Sequence, residues 1–169
     1  MKTKILAAAT VVSLAAAMLA IGLGGADAAT TSCDEGHWPA TVQGRPVTFH
    51  AGATAGYYIW HDSHGWHLRT TTPESRAHEF TGRIVSSDNI KVVSLVRDEN
   101  DDHLSLSGHV VNFAFKTYKG VDGLDFVVGC TKSVTFLLKA GGDWVPAARI
   151  FLGDHGHAPS NPFTVYRTN

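Results

Sequence analysis

Residues 57–71, YYIWHDSHGWHLRTT, constrain the fold of this chain more than any other stretch. They hold two of the four Trp and three of the ten His around the clearest turn signal in the sequence. Runs rich in aromatic and β-branched residues flank Asp62-Ser63-His64-Gly65, which reads as a β-hairpin. Asp62 suits the first position of a type I turn, and Gly65 suits the left-handed position that closes a three-residue loop. In that register Asp62 faces Trp66, His61 faces His67 and Trp60 faces Leu68. Opposed residues share a face, so Tyr58, Trp60, Trp66 and Leu68 are expected to form one apolar face. Tyr57, Ile59, His61, His67 and Arg69 then form the other. A two-residue turn at Ser63-His64 would instead put Trp60 beside His67.

Upstream, Lys2 and Lys4 precede an apolar, Ala-rich run that Gly22, Gly24 and Gly25 break before Ala26-Asp27-Ala28. This is the pattern of a signal peptide over residues 1–28, cleaved after a small-residue site. No lipid-attachment signature precedes Cys33. Residues 29–169 are therefore expected to be a single secreted β domain, extracellular and free of the membrane after cleavage. Without the leader, 12 basic and 14 acidic residues remain, a net charge of −2 with His neutral. That near-balance argues against nucleic-acid binding. Protonating all ten His would take it to +8, so mild acid is expected to make the surface cationic.

No long amphipathic helix is visible. Short apolar runs recur with Gly, Asp and Asn between them, the pattern of an antiparallel β-sandwich of about ten strands, with a closed barrel as the alternative. Besides the hairpin, strands are expected at 47–50, 78–85, 90–97 (pairing with 78–85), 110–118, 124–128, 134–138, 144–152 and 163–166. One helical turn is expected at 72–75. In GVDGLDF, Asp122 is expected to set a turn with Gly123, and Asp125 to point away from Leu124 and Phe126. The YYIWHDSHGWHLRTT and KGVDGLDF stretches resemble small secreted bacterial β-proteins of unknown function, over much of the mature chain. The resemblance implies no activity.

His61 and His67, opposed in the expected register, are one candidate pair for Zn²⁺ or Cu²⁺, and His155 and His157 are a second. Metal-ligand spacings such as H-x-x-x-H or C-x-x-C are missing. Asp98, Asp101 and Asp102 bunch hard oxygen ligands suited to Ca²⁺, in a loop that more simply serves solubility. Nucleophile-elbow, zinc-protease and phosphate-loop motifs are absent, so no catalytic residue is assigned. Among Trp38, Tyr57, Tyr58, Trp60, Trp66 and Trp144, most are expected in the core. Tyr57 and one Trp, from Trp60 and Trp66 beside Arg69, are expected to face a ligand.

The sequence thus reads as a monomeric, exported module that binds an extracellular glycan or anionic envelope polymer. Transition-metal binding through His, and a hydrolase assembled from separate loops, are the rival readings. Cys33 and Cys130 are the only cysteines, and in an oxidising compartment such a pair reads as a disulfide. Closing so long a loop is worth about 4–5 kcal/mol in the chain-entropy model. Alkylation of the exported protein without reductant is expected to modify no thiol. A mass increase for two alkyl groups would refute the bridge.

Overall fold

The computed structural model describes residues 37–50, 53–97, 99 and 101–169. The expected signal peptide, Cys33 and Asp98 lie outside the described residues, so the Cys33–Cys130 bridge stands as an expectation of the sequence.

Twelve strands follow one another in the described residues. They are β1 (Gly56–Asp62), β2 (Gly65–Thr72), β3 (His78–Ser86), β4 (Ile90–Val96), β5 (His103–Ser107) and β6 (Val110–Thr117). Then come β7 (Gly120–Val128), β8 (Ser133–Ala140), β9 (Asp143–Trp144), β10 (Ile150–Leu152), β11 (Gly156–His157) and β12 (Phe163–Tyr166). They form two sheets and no closed barrel. Sheet 1 runs β11-β10-β1-β2-β7-β4, and sheet 2 runs β12-β8-β3-β6-β5, with β9 hanging on β8. The architecture is a β-sandwich, antiparallel except where β10 pairs in parallel with β1.

The turn of the β1–β2 hairpin closes over two residues, not three. Asp62 pairs with Gly65, His61 with Trp66, Trp60 with His67 and Ile59 with Leu68. The Asp62 carboxylate accepts the His64 backbone N–H at 2.7 Å, which tightens the turn. Gly65 does take positive φ, at 115°, and a Cβ there would press on the Phe126 carbonyl of β7. The one-residue slip exchanges the faces. Tyr57, Ile59, Trp66 and Leu68 enter the core, while Tyr58, Trp60, His67 and Arg69 turn outward.

Trp66 fills the centre of the sandwich. Its ring lies edge-on to Trp38 at 4.8 Å, stacked with Phe126 at 6.1 Å and tilted against Phe136 at 5.6 Å. Tyr57 spans the two sheets, its hydroxyl reaching the Thr81 and Lys139 carbonyls of sheet 2 at 2.8 and 2.7 Å. Alternation places Val111, Phe113 and Phe115 of β6 and Val134, Phe136 and Leu138 of β8 inward as expected.

Other expectations fail for local reasons. Residues 47–50 form no strand; Val47 is 71% exposed, and Phe49 N–H turns back to the Pro46 carbonyl at 2.9 Å. Thr72 ends β2, and the chain bends at 73 and 75–76 without a helical turn. β4 pairs with β7 and not with β3, because the short connection after Ser86 crosses between sheets. Strand β5 escaped the pattern because it is largely exposed, with only Leu104 packed on the core. Pro146 and a 3-10 turn, Ala147–Arg149, break the strand expected at 144–152, leaving Ile150–Leu152 to join β1.

Asp122 does not set a turn. It sits within β7, 1% exposed, and neither carboxyl oxygen has a hydrogen-bond donor. Burial pushes its pKa up to about 6; the neighbouring Thr117 hydroxyl offsets only part of this, being engaged with Thr70 at 2.6 Å. Below the unfolded value of about 3.9 the carboxyl is neutral in both states; above the folded value the native state bears an ionised, buried group. The stability associated with the proton is therefore lost as pH rises through about 6. Asp122→Asn is expected to exceed the wild type in urea unfolding at pH 7 by about 1–3 kcal/mol after solvent screening, with the gain gone near pH 4. A variant weaker than the wild type at pH 7 would mean that the fold needs the anion.

Candidate functional site

The corrected register lays one row of side chains across the outer face of sheet 1. Trp60 on β1 pairs with His67 on β2, His67 with Asp125 on β7, and Asp125 with Ser94 on β4. A β-bulge between Val92 and Ser94 brings Ser94 opposite Asp125, and the serine donates to the carboxylate at 2.8 Å. Trp60 and the His67 ring stack at 4.7 Å. The imidazole reaches Asp125 through Nδ1 at 2.7 Å and Asp62 through Nε2 at 3.0 Å. Arg69 closes the group, pairing with Asp125 at 2.6 Å and donating to the Leu68 and Leu124 carbonyls. Opposite Arg69 stands Gly123, where a Cβ would collide with the Leu68 carbonyl and crowd the Arg69 side chain. Asp125 does point away from Leu124 and Phe126, as the alternation implied.

Burial works against charge on His67, but its bonds to Asp125 and Asp62 outweigh burial and raise its pKa. Burial would raise Asp125 too, yet His67, Ser94 and Arg69 hold it far below the usual carboxylate range. Asp62 is likewise lowered, burial being outweighed by His67 and the His64 N–H. With both ring nitrogens donating to carboxylates, His67 has no free lone pair for a base. The group cross-braces four strands. The carboxylates' contribution is present above their unfolded pKa and lost in strong acid. The His67 contribution is lost as pH rises through its raised value.

The same register parts the expected metal pair. His61 faces the core side, in contact with Trp38 and Trp66, while His67 faces out. Burial lowers His61 to about 4, the nearby charges of His67 and Arg167 adding to the effect against the pull of Asp62. His155 and His157 are exposed beside one shallow depression. Among the described residues no three His, Cys, Asp or Glu side chains are grouped to hold a metal ion. Asp101 pairs with Lys116 at 3.7 Å. Asp102 accepts the Glu99 and Lys116 backbone N–H groups, both at 3.3 Å, so it staples its loop.

The expected aromatic platform is also redistributed. Tyr57 and Trp66 lie in the main core, and Tyr57 is not the exposed ring it was expected to be. Trp60, with Tyr58, lies in a second small core outside sheet 1, beneath Phe49 and Ala53 of the loop that precedes β1. Arg69 is buried with its cation over Trp60.

The exposed Trp is Trp144, half exposed at 50%. Gly141 and Gly142 both take positive φ, 59° and 89°, as a two-residue hairpin turn between β8 and β9 requires. That turn pairs Trp144 with Lys139, whose ammonium rests 5.0 Å over the indole. Trp144 borders two depressions, one of about 170 Å³ at the end of the sandwich, where Gly56 of sheet 1 meets Phe80 and Ala140 of sheet 2, and one of about 320 Å³ on the outer face of sheet 2. Arg149 lines the first and Arg83 the second, and a third depression adjoins the second at Phe113. Among the described ion pairs none involves Arg83, Lys139 or Arg149, while Asp143 is the one carboxylate on either rim. Along β8, Tyr166 of β12 pairs with Ser133 and is 65% exposed. The six-residue step from Ser133 to Lys139 separates the two aromatic positions by about 20 Å. Tyr166 was legible as an outward residue, since Phe163 and Val165 alternate inward in FTVY.

The chain matches no protein-family model, and neither the curated proteins nor the solved structures give a match.

Nitrogen-detected imidazole NMR is expected to show His67 titrating with a midpoint above the ordinary 6.5. His61 should stay neutral until near pH 4. The opposite order of titration would overturn the assignment of faces.

Proposed function

We propose that this protein is a secreted module that acts by binding, and that the outer face of sheet 2 takes an acidic extracellular polysaccharide. The observation that carries this reading is Trp144, held half exposed between two depressions whose rims bear Arg83, Lys139 and Arg149, none of them in an ion pair among the described residues, against the single carboxylate Asp143. A sugar ring stacks on an exposed indole through its apolar face, and such contacts favour a flat, open surface over a deep pocket. Unpaired guanidinium and ammonium groups add attraction for carboxylate or phosphate substituents along the polymer. Tyr166, about 20 Å away along β8, offers a second ring to an extended chain. A monomer suffices, since both rings lie on one sheet face.

The hydrolase alternative has less behind it. The best-developed acid–base cluster, around His67, has its imidazole held by two carboxylates.

Trp144→Ala is expected to weaken retention on an immobilised polyuronate by about tenfold while leaving the urea midpoint unchanged, because the ring is not core. Retention of the wild type should fall with added salt, and Lys139→Gln with Arg83→Gln should flatten that dependence. Equal retention of Trp144→Ala and wild type, or binding indifferent to both salt and the cation changes, would refute the proposal.

A further inference from the structure

At the far end of β1 from Trp144, a cleft of about 480 Å³ opens where three separate segments meet. The first described segment supplies His37, Trp38 and Gln43, the hairpin tip supplies His61 and Asp62, and the last residues supply Arg167. The segments are pinned by backbone bonds. His37 and Thr168 exchange N–H···O bonds at 2.9 and 2.8 Å, and Arg167 N–H reaches the Lys132 carbonyl at 2.9 Å. Gln43 bridges to the backbone of His61 and donates its side-chain amide to the Trp38 carbonyl at 3.0 Å. The walls are thus set before any ligand arrives.

The cation of this cleft has no ion-pair partner among the described residues. Arg167 lies 5.2 Å over the Trp38 ring, which orients the guanidinium, and forms no ion pair among the described residues. Its Nε is buried without an acceptor. Among the described residues Asp62 is the one carboxylate on the cleft wall, and its Oδ1 accepts from His67 and the His64 N–H. His61 and His37 are further potential donors toward the same space. Arg167 lines the cleft, held over Trp38 and without a carboxylate partner among the described residues, and its terminal guanidinium N–H groups would donate to an oxyanion placed there.

We infer that this cleft is a second, separate binding site, for a small oxyanion group (phosphate or carboxylate) held by Arg167 with His61 and His37. A bound anion neutralises Arg167, and through that cation and Asp62 and His67 beside it, anion binding couples to protonation of His61. Such a site suits the charged end group of a ligand, whereas the open face around Trp144 suits a polymer's length.

The test is NMR titration of the isotope-labelled protein with inorganic phosphate, and separately with acetate, at constant ionic strength. Saturable shifts confined to the His37 and His61 rings and the Arg167 Nε–H are expected for at least one anion. The stronger anion identifies the source chemistry. Arg167→Gln should weaken that binding by about tenfold or more, and Trp144→Ala should leave it unchanged. Linear, unsaturable shifts spread over all His, or equal binding by Arg167→Gln, would overturn the site. Loss of anion binding in Trp144→Ala would overturn its separateness. Should Arg167→Gln fail to fold, the wild-type shift map alone decides.

Discussion

The turn at Ser63-His64 is the constraint on which the rest of the sandwich depends. Because it closes over two residues, Trp66 enters the core against Trp38, Phe126 and Phe136. The same step sends His67 outward to Trp60, Asp125 and Asp62. One added residue would drive the His67 ring into the sandwich, away from both its carboxylates, and the indole of Trp66 out of it. Burying a polar ring without partners costs about 1–3 kcal/mol, and vacating the Trp66 site costs about 3–5 kcal/mol more, so the alternative register is strongly disfavoured. Gly65 and Gly123 are where the chain must be bare for that register: each backs onto a neighbouring strand's backbone.

Much of the strand pattern was legible in the sequence, and the register was not, for a reason visible in the residues. Period-two alternation identifies a buried face only when the opposite face is polar. In Val110–Thr117 and Ser133–Ala140 that condition holds, and the inward sets are those the alternation implies. In Tyr57-Tyr58-Ile59-Trp60 it fails, because both faces are buried: one in the sandwich, the other under Phe49 and Ala53. The second cover comes from the loop before β1, whose apolar residues look like a strand. Nor does composition say which sheet a strand joins, so the pairing of β4 with β7 follows only from the crossover after Ser86.

The candidate site was legible only in kind. Trp144 belonged to the set of candidate platform rings, but nothing local distinguished it from Trp60 or Trp66. Their fates depend on coverage from distant parts of the chain. Once the cores have claimed Tyr57, Tyr58, Trp60 and Trp66, the aromatic surface left is Trp144 and Tyr166 on sheet 2, together with Tyr118 beside Arg97. Likewise His61 and His67, a metal pair if opposed, become a half-buried ring with a lowered pKa and a carboxylate-braced ring with a raised one once they lie on opposite faces. One sheet thereby carries apolar cover on part of both its faces, and the other keeps Trp144 and Tyr166 exposed on its outer face.

The indole N–H signals of the four Trp report this division directly, because each gives a separate resonance in nitrogen-correlated NMR. Titration with a soluble acidic polysaccharide is predicted to shift the Trp144 indole progressively to saturation, while those of Trp38, Trp60 and Trp66 stay in place. A Trp144 signal that never moves, or a shift centred on Trp60 or Trp66, would contradict both the assignment of faces and the binding surface built on it.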